Sequence, residues 1–354
     1  MKFTCRLFLT SAASFMIAAG ISCSAVLAGP AKLPAAPLQE EMQCISASQL
    51  AEEENLLAIL WVQRSAEFRG LSYQAYNMAA TEVDKALAQR REKEKALRKA
   101  ATIGDTSTQS PLRPPAVVLD IDDTIVCHAP FEVYFIEHPE ATSNSDIWEQ
   151  WIALNKELLP GAKDFLRYAK SRGVQIFYVT GRGPQDKAAT ISLFRKTGLP
   201  FTDETRLLMN DGSGGKMNHF AKLSRRYDII CYLGDNAGDF PIDANRYKNV
   251  PIYKKETAGS FSGNTADVNK NAAAKPKTVM PLDIDAMLKH DTNKARNAII
   301  DANKNYFGTK FILLPNPMYG DWENNLAQKY RKLPAEQRIA LRKAAMQCFA
   351  YKEK

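Results

Sequence analysis

Residues 116–124 read AVVLDIDDT, and this stretch decides the fold class. It opens on an apolar run without alternation, which is typical of a strand buried on both faces of a sheet. Similar runs occupy residues 174–180 and 229–233, and residues 311–314 form a further candidate strand. Stretches with helical periodicity lie between them. Strands that alternate with helices predict an α/β fold, in which a parallel sheet carries helices on both faces.

Each apolar run is followed by polar residues. The first run leads into Asp120 and Asp122, and the second ends in Thr180-Gly181-Arg182. The third ends in Gly234-Asp235-Asn236, with Asp239 four residues after Asp235. The carboxyl ends of parallel strands meet at one edge of a sheet, where α/β proteins bind ligands. We therefore expect these side chains to form one site, together with Lys216, which opens the helix before the third run.

These residue types suit attack on a phosphate ester. A carboxylate such as Asp120 is able to attack phosphorus and split one hard step into two, and Asp122 is placed to protonate the leaving alcohol and then activate water. We expect Thr180 and Gly181 to hydrogen-bond the phosphoryl oxygens and Lys216 to supply positive charge, with Lys222 as the alternative lysine. Asp120 and Asp235 offer the hard oxygen ligands that Mg²⁺ prefers.

Five stretches resemble a known family. They are AEFRGLSYQAYNMA (66–79), AVVLDIDDT (116–124), LPGAKDFLRYAKSRGVQIFYVTGR (159–182), LGDNAGDF (233–240) and FGTKFILLPNPMYGDWE (307–323). The order of the polar clusters resembles the haloacid dehalogenase (HAD) superfamily. The residues around these clusters are similar to those of one branch of this superfamily, the bacterial class C acid phosphatases. That branch includes outer-membrane lipoprotein phosphatases and 5′-nucleotidases.

The resemblance implies a Rossmann-like core with a smaller helical domain built from both ends of the chain. It implies a magnesium-dependent phosphomonoesterase that forms an aspartyl phosphate on Asp120. The magnesium ligands would be Asp120, the backbone carbonyl of Asp122, Asp235 and Asp239. The sequence departs from the family pattern at Cys127-His128, where the family usually has Asp-Asn, and we interpret His128 as a surface residue.

The substrate is less well defined by the sequence. Phosphomonoesters are the expected ligands, with nucleoside 5′-monophosphates as candidates. The candidate substrate contacts are Arg182, Tyr319 and Trp322. Further aromatic candidates are Trp148 and Trp151. For the aromatic residues, packing between the domains is the alternative role. The net charge of +8 is spread along the chain without a nucleic-acid-binding motif, so we expect no nucleic-acid polymer as a partner.

The chain divides into five predicted segments. They are a signal peptide (1–28), an N-terminal helical segment with a linker (29–115), a catalytic α/β core (116–253), a flexible insertion (254–295), and a final strand with C-terminal helices (296–354). The first segment predicts export to the periplasm or the medium, with cleavage after Ala28. Lipid attachment at Cys23 is the alternative, and it would make the protein an outer-membrane lipoprotein; Gly20 fits it poorly.

Several questions stay open. Two other functions compete with the phosphatase: a non-catalytic extracytoplasmic binding or surface protein on the same scaffold, and a phosphotransferase that passes the phosphoryl group to an alcohol. A homodimer is a candidate assembly. Export permits a disulfide between Cys44 and Cys348, whereas Cys231 lies in an apolar run and is predicted to be a buried free thiol.

Overall fold

The computed structural model describes residues 46–102, 111–138, 141, 145–200, 203–212, 215–242 and 283–347. The predicted signal peptide, Cys23, Cys44, Cys348 and residues 254–282 of the predicted insertion lie outside the described residues. Among the helices described, none has both the length and the apolar character needed to cross a bilayer.

The centre of the fold is a five-stranded parallel sheet. Its strands are β1 (Pro115–Leu119), β2 (Gln175–Val179), β3 (Leu207–Leu208), β4 (Asp228–Gly234) and β5 (Phe311–Leu313), in the order β3-β2-β1-β4-β5. All neighbouring strands pair in parallel. The predicted α/β class is therefore confirmed.

Helices cover both faces of this sheet. They are α1 (Ala47–Glu53), α2 (Leu56–Arg64), α3 (Ala66–Thr102), α4 (Ala129–Glu137), α5 (Ser145–Leu154), α6 (Ala162–Ser171), α7 (Lys187–Thr197), α8 (Gly215–Arg226), α9 (Ile284–Leu288), α10 (Asn293–Ala302), α11 (Asp321–Asn324) and α12 (Ala335–Ala345). Helices α3, α6 and α7 pack on one face, and α8 and α10 pack on the other.

Strand β1 is buried on both faces. Val117 and Leu119 belong to the core under α3 and α6, whereas Ala116 and Val118 belong to the core under α8 and α10. This explains why the run lacks alternation. Leu119 pairs with Tyr178 of β2 on one side and with Leu233 of β4 on the other, so the three central strands end at the same level.

Helices from the two ends of the chain meet at α1 and α12. Ala51 of α1 packs against Ala335 and Ile339 of α12 in a small apolar cluster. Arg342 of α12 donates to the backbone oxygen of Ala51 at 2.9 Å and to Glu54 at 2.9 Å. The two helices are thus held together by apolar packing and by ion pairs.

The structure differs from the sequence-based expectations in three elements. The predicted flexible insertion (254–295) includes helical residues near its end, because α9 begins at Ile284 and α10 at Asn293. Strand β3 was not predicted, since two residues are too short for a periodic signal. Within the predicted segment of C-terminal helices (296–354), the residues between β5 and α12 form only the short helix α11 and a 3₁₀ turn at Tyr330–Lys332. Cys231 is a buried free thiol, as predicted.

Candidate active site

Asp120 follows β1 directly, and its position is fixed by the neighbouring strand. Its backbone N–H donates to the carbonyl oxygen of Leu233 at 3.0 Å, and its side chain is buried. Its carboxylate accepts a hydrogen bond from Nζ of Lys216, in the first turn of α8, and the same Nζ donates to Asp239 at 2.6 Å. The alternative Lys222 is exposed. The structure therefore brings Lys216, and not Lys222, to the aspartates.

Three carboxylates lie together at this point. Oxygens of Asp120, Asp235 and Asp239 are all within 4.8 Å of one another. Asp239 sits in a 3₁₀ turn, Ala237–Asp239, and accepts the backbone N–H of Asn236 at 2.8 Å. A Cβ at Gly234 would lie 2.2 Å from that of Asp239, so a glycine is needed there for the turn to fold back on β4.

The charges of this cluster suit a divalent cation. When all three carboxyl groups are ionised, Lys216 leaves a net charge of −2. Oxygen ligands at this spacing are what Mg²⁺ and similar ions bind. The donor set therefore fits a hard divalent metal held by Asp120, Asp235 and Asp239.

Burial raises the pKa of two of these carboxyl groups. Desolvation raises the pKa of Asp120 to about 7, against the lowering effect of Lys216, and repulsion by Asp239 and Asp122 adds to it. Desolvation, and then the charges of Asp239 and Asp120, raises the pKa of Asp235 well above its usual value. Without a cation, Asp120 and Asp235 therefore keep their protons to a higher pH than ordinary carboxyl groups do, and a metal must displace those protons.

Asp122 is held in a different environment. Arg182 donates to both of its oxygens, at 3.0 Å from Nε and 2.7 Å from Nη2. Burial would raise the pKa of Asp122, but the charge and the hydrogen bonds of Arg182 lower it below its usual value. The Arg182 side chain is only 1% exposed, and its third nitrogen donates to Thr190 at 3.0 Å. Each of its three guanidinium nitrogens thus donates to a protein oxygen, and Arg182 also lines the cavity described below.

These groups line one cavity of about 620 Å³. Asp120, Asp122, Lys216, Asp235 and Asp239 form part of its wall. Thr180 and Gly181 also line it. The backbone N–H of Thr180 donates to Leu208 at 3.0 Å, so β3 places the end of β2. The strand-end residues predicted from the sequence therefore do meet in one concave site.

Asn316 and Asp123 complete the site and were not assigned roles from the sequence. The amide nitrogen of Asn316 donates to Asp235 at 2.9 Å and to Asp123 at 3.2 Å. Asn316 follows β5, so the strand-end rule that identified the other residues also applies to it. Asp123 adopts a left-handed backbone conformation with φ of 48°.

The arrangement matches known proteins. A family model described as "HAD superfamily, subfamily IIIB (Acid phosphatase)" matches residues 32–322. The chain belongs to this family. HAD subfamily IIIB acid phosphatases are phosphoric monoester hydrolases, and HAD phosphatases use a divalent metal, which the buried aspartates are able to bind.

Two solved structures resemble this acid phosphatase. One is the class C acid phosphatase from Bacillus anthracis, with 26% identity and a TM-score of 0.61. The other is the same enzyme with tungstate bound, with 26% identity and a TM-score of 0.60. Each comparison covers 85% of this chain and 100% of the other.

Aromatic side chains, among them Phe131, Trp148 and Tyr319, form one side of the cavity in this acid phosphatase, and we call them the aromatic wall. His128 lies inside it, 5% exposed, with its ring centroid 4.7 Å from that of Phe131 and 5.1 Å from that of Tyr319. The interpretation of His128 as a surface residue was therefore wrong. Nδ1 of His128 is 3.2 Å from Glu132, which together with other carboxylates raises the pKa of His128 despite its burial.

The other predicted aromatic contacts divide into two groups. Trp148 and Tyr319 line the cavity, and the Tyr319 hydroxyl donates to Asp123 at 2.5 Å. Trp322 is 44% exposed, does not line the cavity, and donates its indole N–H to the backbone of Tyr319 at 3.2 Å. Trp322 is therefore not placed as a substrate contact.

Asp123 acts as a structural acceptor, which gives a stability prediction. Its carboxylate accepts from the backbone of His128 at 2.9 Å as well as from Asn316 and Tyr319. We expect Asp123→Ala to lower the free energy of unfolding by about 3 kcal/mol, because buried donors lose their partner. Urea unfolding followed by tryptophan fluorescence measures this. Asp301→Ala, at an exposed helical position, should change it by less than about 0.5 kcal/mol; equal effects would contradict the assignment.

Proposed function

We propose that this protein is a magnesium-dependent phosphomonoesterase that works through an aspartyl phosphate on Asp120. The observation that carries the proposal is the placement of Asp120 in the cavity. Its carboxylate contacts Lys216, and its oxygen lies within 4.8 Å of oxygens of Asp235 and Asp239, close enough for the three groups to share one cation. A nucleophile, a fixed cation and a metal site are thus gathered where a phosphoryl group would lie.

The chemistry follows in two displacements. An oxygen of Asp120 attacks phosphorus, the ester P–O bond breaks, and the leaving alkoxide takes a proton from Asp122. Asp122 then takes a proton from water as that water attacks phosphorus, and cleavage of the acyl phosphate restores Asp120 and releases inorganic phosphate. Lys216 and the Thr180–Gly181 turn hold the phosphoryl oxygens. A bound Mg²⁺ would neutralise the anionic phosphoryl oxygens and keep Asp120 ionised.

We propose nucleoside 5′-monophosphates as the substrates of this site. We also propose that the protein is exported from the cytoplasm. The aromatic wall supports this substrate class, since Trp148, Tyr319 and Phe131 offer stacking surfaces beside the site. Stacking of a base on an aromatic side chain contributes about 1–3 kcal/mol. Tungstate, a tetrahedral oxyanion like phosphate, is bound in one of the Bacillus anthracis structures.

The test combines turnover with metal binding. We expect hydrolysis of p-nitrophenyl phosphate in Mg²⁺ and its loss in EDTA. A saturating ion, at about a hundredfold excess over its Kd, should stabilise the fold by about 3 kcal/mol. The stabilisation should be larger at pH 7 than at pH 5, because protons compete for Asp120 and Asp235. Thermal unfolding at both pH values measures it.

The raised pKa of Asp120 also predicts how the stability of the metal-free protein depends on pH. With the pKa of Asp120 raised to about 7, the folded protein binds more protons than the unfolded chain between about pH 4 and pH 7. Its stability should therefore fall as the pH rises through that window.

Asp235→Asn tests the metal site: this variant should lose most of the stabilisation by Mg²⁺. A folded protein without metal-dependent turnover would instead favour a non-catalytic binding protein.

A further inference from the structure

Asn316 joins the ends of three strands beside the aspartate cluster. It follows β5, and the backbone N–H of Leu314 donates to the carbonyl oxygen of Gly234 at 2.9 Å, so the end of β5 lies next to the end of β4. The side chain of Asn316 reaches Asp235, which follows β4, and Asp123, in the loop after β1. The proposed chemistry assigns Asn316 no role.

The partners of the Asn316 amide determine its orientation. Its oxygen accepts the backbone N–H of Met318 at 3.0 Å. Its nitrogen donates to Asp235 at 2.9 Å and to Asp123 at 3.2 Å. The opposite orientation would set the amide oxygen against two carboxylates and the amide N–H groups against a backbone donor. The N–H groups of Asn316 therefore face the carboxylates, and its oxygen is used by the backbone rather than offered to a cation.

Asp235 depends on this one donor. Asn316 binds its Oδ2, whereas the contact of its Oδ1 with the Thr124 hydroxyl is long, at 3.4 Å. Hydrogen bonds between a hydroxyl and an oxygen are usually about 2.7–2.8 Å long, so the contact with Thr124 is weak. Within the described ranges, no other group donates to this carboxylate. Without Asn316, the Asp235 side chain is therefore free to rotate away from the other aspartates.

The hydrogen bonds of Asp123 provide an internal comparison. Its Oδ2 accepts from Asn316 and also from the Tyr319 hydroxyl at 2.5 Å. In the part of the chain that the structure describes, Tyr319 makes no hydrogen bond to Asp235. Two side chains thus donate to the same oxygen of Asp123, and only Asn316 also donates to an aspartate of the metal cluster.

We propose that Asn316 is a positioning residue for the metal site. It holds the Asp235 carboxylate in the orientation needed to share a divalent cation with the other two aspartates of the cluster. Loss of a side chain that orients a metal ligand typically costs about 10- to 100-fold in metal affinity or activity. Asn316 is uncharged, so it acts through orientation and not through the net charge of the cluster. The inference rests on the proposed metal-dependent function and deepens it.

The competing explanation is structural. Asn316 would then serve only to tie the turn after β5 to the loop after β1. In that case its removal lowers the stability of the metal-free protein but leaves the affinity of the folded protein for Mg²⁺ unchanged. Metal affinity and metal-free stability therefore separate the two roles.

The experiment measures Mg²⁺ binding to the full chain by titration calorimetry, after bound metal has been removed with EDTA and the EDTA by dialysis. Asn316→Leu keeps the branching of the side chain but removes its hydrogen bonds. We expect this variant to raise the Kd for Mg²⁺ by about 10- to 100-fold. Tyr319→Phe is the matched control: it should keep the Kd within about twofold of the wild type, because it loses only the bond to Asp123.

Two further readouts accompany the titration. The Mg²⁺ concentration that gives half of the maximal rate on p-nitrophenyl phosphate should rise in Asn316→Leu by the same factor as the Kd. Excess Mg²⁺ should then restore turnover, because the variant retains all three aspartates. Thermal unfolding in EDTA gives the stability of each metal-free variant and shows whether it is folded.

The other outcomes are equally clear. An unchanged Kd in Asn316→Leu, with lower stability in EDTA, would overturn the proposal in favour of the structural role. Equal losses of affinity in Asn316→Leu and Tyr319→Phe would also overturn it, since the effect would then belong to Asp123 and not to Asp235. If Asn316→Leu does not fold, Asn316→Ala replaces it, and a wild-type Kd in that variant would reject the proposal.

Failure of the proposed function would look different. If the wild type binds Mg²⁺ but hydrolyses no phosphomonoester, the phosphatase proposal fails, and the calorimetric comparison still decides the role of Asn316. A wild type that binds no Mg²⁺ would reject the metal site and the role of Asn316 together.

Discussion

Asp120→Asn is expected to lower kcat for p-nitrophenyl phosphate by a factor on the order of 10⁴, since an amide cannot form the acyl phosphate. The loss should not come from unfolding. Burial raises the pKa of Asp120 to about 7, so a neutral side chain of the same shape suits the metal-free site. Thermal unfolding in EDTA should therefore show Asp120→Asn to be at least as stable as the wild type.

A chemical measurement separates this role from simple metal binding. Rapid quenching of the wild type with ³²P-labelled substrate should trap labelled protein, and Asp120→Asn should trap none. Glu132→Gln is the matched control, because Glu132 lines the same cavity without a role in the displacement. Its kcat should stay within about fivefold of the wild type. Turnover by Asp120→Asn near the wild-type rate would mean that water attacks phosphorus directly.

Asp122→Asn is expected to show an effect that depends on the leaving group. An alkoxide needs a proton to leave, whereas p-nitrophenolate does not. The variant should therefore lose about 10³-fold on an alkyl phosphate such as glycerol 3-phosphate and less than about tenfold on p-nitrophenyl phosphate. Steady-state kcat/KM values for the two substrates measure the difference.

The pH profile adds a second readout for Asp122. Arg182 holds the pKa of Asp122 below its usual value, so the protonated acid becomes more abundant as the pH falls towards that value. On alkyl phosphates the wild-type rate should accordingly rise on the acid side, and Asp122→Asn should lose that rise. Asp123→Asn is the control at the neighbouring carboxyl group. If it showed the same dependence on leaving group, Asp122 would not be the acid.

The sequence contained enough information for the central sheet and for the residues at its carboxyl edge. Apolar runs without alternation identify buried strands because side chains on both faces must be apolar, as in β1. The polar residues that follow them, Asp120, Thr180 and Asp235, then converge through topology alone. Strand β3 could not be found in this way, since Leu207 and Leu208 are defined by pairing with β2 rather than by their own pattern.

What the sequence did not reveal is how the side chains partner with one another. Arg182 was a candidate substrate contact, and no local signal indicated that it also binds Asp122, 60 positions away along the chain. His128 looked like a surface residue, because nothing local indicates that Trp148, Trp151 and Tyr319 surround it. Burial of a polar side chain depends on contacts between distant segments, which periodicity does not record.

The pairing of α1 with α12 bears on how the protein is made. The hydrogen bond from Arg342 to Ala51 joins residues 291 positions apart, and both helices form part of the cavity wall. A nascent chain on the ribosome can assemble β1 to β4 long before α12 has been translated, yet it lacks that wall until α12 emerges. Prematurely terminated chains would thus contain every aspartate of the metal cluster and still present an open, incomplete pocket.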